Sequence, residues 1–539
     1  ELELSTSDKN ASSDASTAGG GNDLDLAGSE FISTHADQDS LKFISPKANY
    51  DLKEYIIKAH DVKYINIADA RIYPSDGEVI VKKAAELVPL IAAEIIANVT
   101  TQYHTIINST VAIKARRSYY AEGDYEYVGA DGGKQLIHFN NIRVDSAYQT
   151  VANGNIEVKD KFMLSPQFGY RGITKIEANK KGMIFRGAAV LQHACNSLNK
   201  PWFGFEGEID PSNVMIPIDS GIQSWVKGRA KGTKLGTGVL IKKDSTHLYS
   251  AFLSKKKFHS DKMLITASGF VKYDSVNKEY QLSNKEKLME SSFPGNFVGL
   301  STETCVIRGE GEIILPDKLG QVKLRNYGGI AHNPKTDSVK IEGAMSLDFH
   351  LDDAMWEHIL SNVLGNPKLT PVQIGRPVYE KAIREMIGKK DGDELVSELN
   401  LYGSFKKVPS EIRHDLLFND VNFFWKQRTK SYVSDGALGL GLIDKKQVNR
   451  YINGNIEIVR KRGKEALTVY LEIDEDTWYF FTYSRGVMRC LSSFDDFNAI
   501  VSSLKAEKRE HKGEKEEGPY IFTLGTERAK RQFLSKMKN

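Results

Sequence analysis

Three carboxylates alternate in Glu206-Gly-Glu208-Ile-Asp210, beside Trp202, Phe203 and Phe205. Glycoside hydrolysis uses two carboxylates about 5–10 Å apart, and aromatic side chains give a sugar ring a platform. Residues two apart on a strand share a face, which suits that separation. The spacing defines one enzymatic reading, a polysaccharide-active enzyme using Glu206, Glu208 and Asp210. A plainer account exists for the same residues. Acids are common on the wet face of a strand, and Asp210-Pro211-Ser212-Asn213 has turn chemistry. The chain is read as leaning away from an enzyme, with this cluster as the alternative.

The other chemistry-bearing residues have structural explanations of the same kind. His350, Asp352, Asp353 and His358 cluster at a strand-to-helix junction. Ligands on a helix favour an i, i+4 spacing, whereas His350 falls outside the helix and the two aspartates suit its cap, so no metal is expected. Gly436-Ala-Leu-Gly439-Leu-Gly441 lacks the Gly-x-Gly-x-x-Gly order and a surrounding strand–helix–strand unit. Gly232 to Gly238 lacks a Gly-Lys-Ser/Thr ending, so no cofactor is expected. His193 near Cys195 is an isolated pair, and no Gly-x-Ser-x-Gly elbow occurs. Arg116-Arg117 with Tyr119-Tyr120 has the chemistry to grip an anion, although a solvated strand end explains it equally. The aromatic run from Trp478 to Tyr483 reads as sheet packing. Cys195, Cys305 and Cys490 lie far apart without zinc spacing and read as three buried thiols.

Bulk charge excludes one class of partner. The 73 basic and 70 acidic residues nearly cancel to +3, without the concentrated basic face that nucleic acid requires. Among 539 residues, 40% are hydrophobic and 27% charged, enough for a real core. The longest apolar stretch, Val79 to Val99, is broken by Lys82, Lys83, Glu86, Pro89 and Glu94, and is too polar for a membrane span.

What positions these residues is a recurring glycine followed by alternating apolar side chains. It appears at Gly123, Gly154, Gly269, Gly311, Gly343, Gly403 and Gly454, with two near-identical copies, Asn153-Gly-Asn-Ile-Glu157 and Asn453-Gly-Asn-Ile-Glu457. Alternation predicts half-buried strands, and the uneven spacing favours a meander over a solenoid of fixed period. The fold class is therefore mainly β: a long meandering antiparallel sheet of β-groove or stacked-sheet type with a C-terminal α+β region. Residues 1–40, rich in Ser, Ala, Gly and Asp, read as a flexible linker, with ordered chain from near Leu41. Residues 41–350 form the β-rich part and 351–539 the α+β region. Helices are predicted from Ala354 to Leu364 and Pro377 to Ile387, with a short continuation to Leu399. Strands resume at Leu401–Lys407, and a last helix spans Ser493 to Glu510 before the charge run Lys508–Glu517.

Several stretches carry a resemblance: Ala68-Asp-Ala-Arg-Ile-Tyr-Pro74, Leu164-Ser-Pro-Gln-Phe168, Ile209-Asp-Pro-Ser-Asn-Val214, Tyr479-Phe-Phe-Thr-Tyr483 and the two Asn-Gly-Asn-Ile-Glu copies. From about Leu41 onward the chain resembles the C-terminal part of very large β-rich envelope proteins of Gram-negative bacteria. More loosely, it is similar to the β-groove proteins that carry lipid across the periplasm. The resemblance implies no catalytic motif. It implies a location in the periplasm or at the outer membrane and a signal peptide upstream of Glu1, where the lack of an initiator methionine reads as a cut. The expected role is a non-enzymatic scaffold or binding protein whose partner is a lipid or an envelope protein. An adhesin or assembly component is a further alternative.

Overall fold

The structure, a computed structural model, describes residues 2–6 and 28–538, except 227, 245–246, 317–318, 374, 462–464 and 514–517. Most of the linker predicted for residues 1–40 lies outside these. Within the remainder, Ser29–Ser33 is a strand paired with Lys42–Ser45, so ordered chain begins before Leu41. The protein is mainly β, 49% strand and 16% helix, with large antiparallel sheets that include a curled half-barrel. Among the described residues no helix is long and apolar enough to cross a membrane. The chain divides into two compact units. Unit one holds residues 1–192, 202–217 and 224–232; unit two holds 193–201, 218–223 and 233–539.

Unit one is built on an eleven-stranded meander in which nearly every strand pairs with its neighbour in sequence. Its run includes Thr105–Ala115, Ser118–Val128, Lys134–Val144, Thr150–Ile156, Phe168–Glu177 and Met183–Leu191, the strands that alternation predicts. Tyr127, Phe162, Tyr170 and Phe185 pack edge to face in its core. Two glycines meet in its middle, Gly172 opposite Gly187. Gly172 has φ +140°, and a Cβ there would lie 2.6 Å from Arg186 O and from Gly187 Cα. The close approach admits only glycine, and such kinks let a sheet curl.

Unit two carries a long sheet that runs from Gly269–Asp274 to Tyr520–Leu524 and Glu510–His511, antiparallel except where Val487–Ser492 pairs with Tyr520–Leu524 in parallel. A three-stranded sheet (Leu235–Ile241, Leu248–Lys255, Lys262–Ile265) packs on the strands Phe297–Ser301 and Ile307–Glu312. The opposite face takes helices Pro377–Ile387 and Lys389–Tyr402. There Tyr379, Ile383, Val396 and Leu399 close over Tyr327, Ala344 and Leu417. Helix Asp353–Gly365 starts where predicted, Asp352 Oδ1 accepting from Ala354 N–H at 3.1 Å.

Three expectations are corrected. Gly403 does not open a strand: it has φ +76°, its N–H donates to Leu399 O at 2.9 Å, and it ends the helix Lys389–Tyr402. The tail is not one helix. Asp495–Ser503 is followed by Ala506–Arg509, the strand Tyr520–Leu524 and helix Glu527–Lys538. That last helix packs Phe533 on Phe480 and sets Lys530 Nζ 3.3 Å over the Trp478 ring. Part of the predicted charge run, residues 514–517, lies outside the described residues. Nor are the cysteines three free thiols. Cys195 and Cys305 form a disulfide with Cα atoms 5.6 Å apart, and only Cys490 remains a buried thiol. A bridge spanning 110 residues leaves no local spacing to read.

Candidate functional site

A concavity of 860 Å³ lies in unit two on the face shared with helix Pro377–Ile387. Its floor follows from strand register. Arg308, Ala331, Lys340 and Phe424 stand in one cross-strand row, and Glu310, Gly329, Glu342, Asn422 and Asp435 in the next. Period-two alternation directs both rows to one side of the sheet. Gly329 and Ala331 keep the floor low. A Cβ at Gly329 would meet nothing closer than Glu342 Oε1 at 3.4 Å, so its lack of a side chain leaves open space and no strained backbone. Pro377, Val378 and the exposed ring of Phe424 supply apolar walls.

The helix wall is held by charge. Lys287, 4% exposed, lies 3.0 Å from Glu310 Oε1 and 2.9 Å from Glu385 Oε1. Lys381, on the helix, donates to Glu310 Oε2 at 2.5 Å. Burial pushes the Glu310 carboxyl up, but Lys287 and Lys381 outweigh it and hold the group below the usual carboxylate range. Arg308 is likewise committed, with two bonds of 2.6 Å to Glu279. Arg376, at the start of the helix, pairs with Asp420, which also accepts from Tyr451 Oη at 2.7 Å. Among the described residues, Lys340, Glu342 and Asp435 have no side-chain partner and face the groove. The groove thus offers a small-residue floor, aromatic and aliphatic walls, and uncommitted charges of both signs. Among the described residues that line it, no nucleophile and base stand in hydrogen-bond reach of each other.

A second titratable cluster sits where these strands end. His414 Nδ1 lies 3.0 Å from Asp348 Oδ2, and Asp415 Oδ2 accepts from Phe349 N–H at 2.7 Å. Burial, then the Asp348 charge, raises the Asp415 carboxyl to about 7. A carboxyl raised above its unfolded value binds protons more tightly in the folded state, so stability falls as pH rises from about 4 to 7. At roughly 1.4 kcal/mol per pH unit, Asp415→Asn is expected to remove a penalty of about 2–4 kcal/mol above pH 7. Denaturant midpoints at pH 4.5 and 8 should converge in the variant; an unchanged pH slope would refute the assignment.

The residues singled out from sequence are placed as follows. Glu206 and Glu208 lie on the exposed face of Phe203–Ile209, the last strand of the eleven-stranded sheet, with Glu206 3.4 Å from Arg186 Nε. Asp210 Oδ1 accepts from Ser212 Oγ at 2.7 Å and its N–H at 2.9 Å, bonds that hold its carboxyl low and close the turn. The Trp202 ring is covered by the Arg171 guanidinium at 4.6 Å. Gly436 to Gly441 lies inside strand Ser431–Ile443, where a Cβ at Gly439 would strike Asp420 Cβ. His350 stacks on His511, and His358 bonds Tyr479 Oη at 2.8 Å. Among the described residues no group of three or more His, Cys, Asp or Glu is arranged to hold a metal. His193 is buried, which lowers its pKa to about 4, and it accepts from Cys195 N–H at 3.2 Å. The run Trp478–Ser484 is a sheet strand, buried on both faces over most of its length. Lys340 and Glu342 were missed. Each reads as ordinary wet-face alternation, and only the long-range pairing of Gly329 with Glu342 makes a groove of them. No protein-family model matches the chain, and no curated protein matches it.

Proposed function

We propose that this chain is a non-enzymatic binding protein or scaffold of the bacterial cell envelope, and that its unit-two groove holds an extended polypeptide segment. The observation that carries this is the groove floor, where Gly329 and Ala331 leave room beside uncommitted Lys340, Glu342 and Asp435. Five strands at ~4.8 Å spacing span roughly 19 Å, the reach of about six extended residues. Of the two partner classes expected, an acyl chain would strip water from these charges without replacing it. A polypeptide offers donors and acceptors to both signs. The envelope location is supported by the disulfide, which belongs to oxidising compartments, and by the resemblance of the Asn-Gly-Asn-Ile-Glu stretches.

Placing a photoreactive phenylalanine analogue at Phe424, 37% exposed at the groove, tests this in intact cells. The expected product is a discrete, protease-sensitive adduct in the envelope fraction. Adducts with lipid alone, or a protein found only in the cytosol, would refute the reading.

A further inference from the structure

Unit one contains a separate cleft of 500 Å³ whose residues have no role in the groove just described. Arg116 and Arg117 form the two-residue turn between Thr105–Ala115 and Ser118–Val128, with Ala115 paired to Ser118. Neither arginine has a positive φ, so this turn does not need the Asn or Gly of the left-handed hairpin turns and accepts arginine without strain. The turn is fixed from outside: Arg116 N–H donates to Gln38 O at 3.0 Å, and Ala68 N–H donates to Arg116 O at 2.9 Å. The Arg116 side chain has no partner among the described residues, and it lines the cleft.

The facing wall is equally pre-set. Asp145 Oδ1 accepts from Ala147 N–H and Gln149 N–H, both at 2.9 Å, and so shapes the loop that carries Tyr148. Tyr148 has φ +58°, a left-handed conformation that is unfavourable for an aromatic residue, and its side chain is 52% exposed. Arg117 lies over its ring at 5.0 Å, with Nε 3.3 Å from Asp39 Oδ2. Tyr64 lines the same cleft, with Arg71 over its ring at 4.1 Å. Lys42 and Glu30 neutralise each other at 2.8 Å, and Asp69, which also lines the cleft, is committed through Oδ1 to Thr150 N–H at 2.9 Å and Oγ1 at 2.7 Å, so Arg116 is the cation of the lining without a side-chain partner among the described residues.

We infer that this cleft binds a saccharide bearing a carboxylate or phosphate, its ring against Tyr148 and its anionic group on the Arg116 guanidinium. A guanidinium presents a planar fork of donors matched to either anion, while tyrosine walls and the amides of Asn66 and Gln149 suit a hydroxylated ring. The predicted partners therefore differ from Tyr119 and Tyr120. Tyr119 is buried with its hydroxyl 2.9 Å from Thr150 Oγ1, and neither residue lines the cleft.

Titration of the full chain at low salt, followed by ligand-observed NMR, tests this with four probes: glucuronate, glucose 6-phosphate, glucose and inorganic phosphate. At least one of the two anionic sugars should bind, tenfold or more tighter than glucose or phosphate, and which one binds identifies the anion. Arg116→Gln should weaken that binding at least tenfold with an unchanged melting temperature, since the side chain has no hydrogen-bond or ion-pair partner among the described residues. Tyr148→Asn should weaken it by a similar factor while holding or raising the melting temperature, because asparagine tolerates the left-handed turn. A merely structural tyrosine would instead lower stability on removal. Failure of both anionic sugars to bind, phosphate binding as tightly as they do, or binding indifferent to Arg116→Gln would each overturn the inference.

Discussion

Gly172→Ala is expected to destabilise unit one by about 4 kcal/mol, a loss at the upper end for single substitutions. Two costs act together. Alanine is poorly suited to φ +140°, and its methyl would lie 2.6 Å from Arg186 O and Gly187 Cα and 2.8 Å from Tyr170 Oη. The first is a strained backbone of order 1–3 kcal/mol; the second is overpacking of about 1–3 kcal/mol in a region with no room to yield. Tyr170 is 1% exposed and donates to Ile173 O at 2.7 Å, so it cannot move aside without breaking that bond. Peptide-resolved hydrogen exchange is the suitable readout, because it separates the two units. Faster exchange should appear in Phe168–Glu177 and Met183–Leu191. Gly329→Ala, also in a strand but with an ordinary backbone and open space, should change stability by less than about 1 kcal/mol. Equal effects at the two glycines would show that the close approach of Gly172 and Gly187 is not what glycine is needed for.

Removing the disulfide is the second large effect. Cys195→Ser with Cys305→Ser opens a bridge that spans 110 residues and whose two cysteines both belong to unit two. Loop entropy for a bridge of this span is about 4.7 kcal/mol, with typical measured losses of about 2–4 kcal/mol. The wild-type denaturant midpoint should therefore fall on addition of reductant, while that of the double variant should start low and not respond. Exchange should quicken around Phe297–Ser301, since Cys305 N–H donates to Ser301 O and anchors the end of that strand. A midpoint indifferent to reductant would refute a stabilising bridge, and with it one support for an oxidising location.

Local signals in the chain were legible where one physical cause decided the outcome. Alternation between turn residues marked the meander strands of unit one, and Asp352 and Pro377 marked two helix starts. Gly403 misled because Gly-x-Φ has two meanings. Within a strand it permits close approach, and after a helix it supplies the left-handed cap. The strand Tyr520–Leu524 was hidden because it pairs in parallel with Val487–Ser492 across two intervening helices. The candidate sites depend still more on long-range register. Nothing near Lys340 in sequence announces Gly329 and Phe424 as neighbours, and nothing near Arg117 announces Tyr148. The acids at 206–210 were visible for the opposite reason, that strand alternation alone puts Glu206 and Glu208 side by side.

The groove reading stands or falls on whether a partner occupies the space above Gly329. Gly329→Leu fills that space from a position where a Cβ meets the Glu342 side chain and Gly309 O, all at ordinary contact distance. Combined with the photoreactive residue at Phe424, it should abolish the polypeptide adduct while leaving melting temperature and expression as in the parent. An adduct of unchanged yield in the Gly329→Leu background would mean that the partner does not lie in the groove.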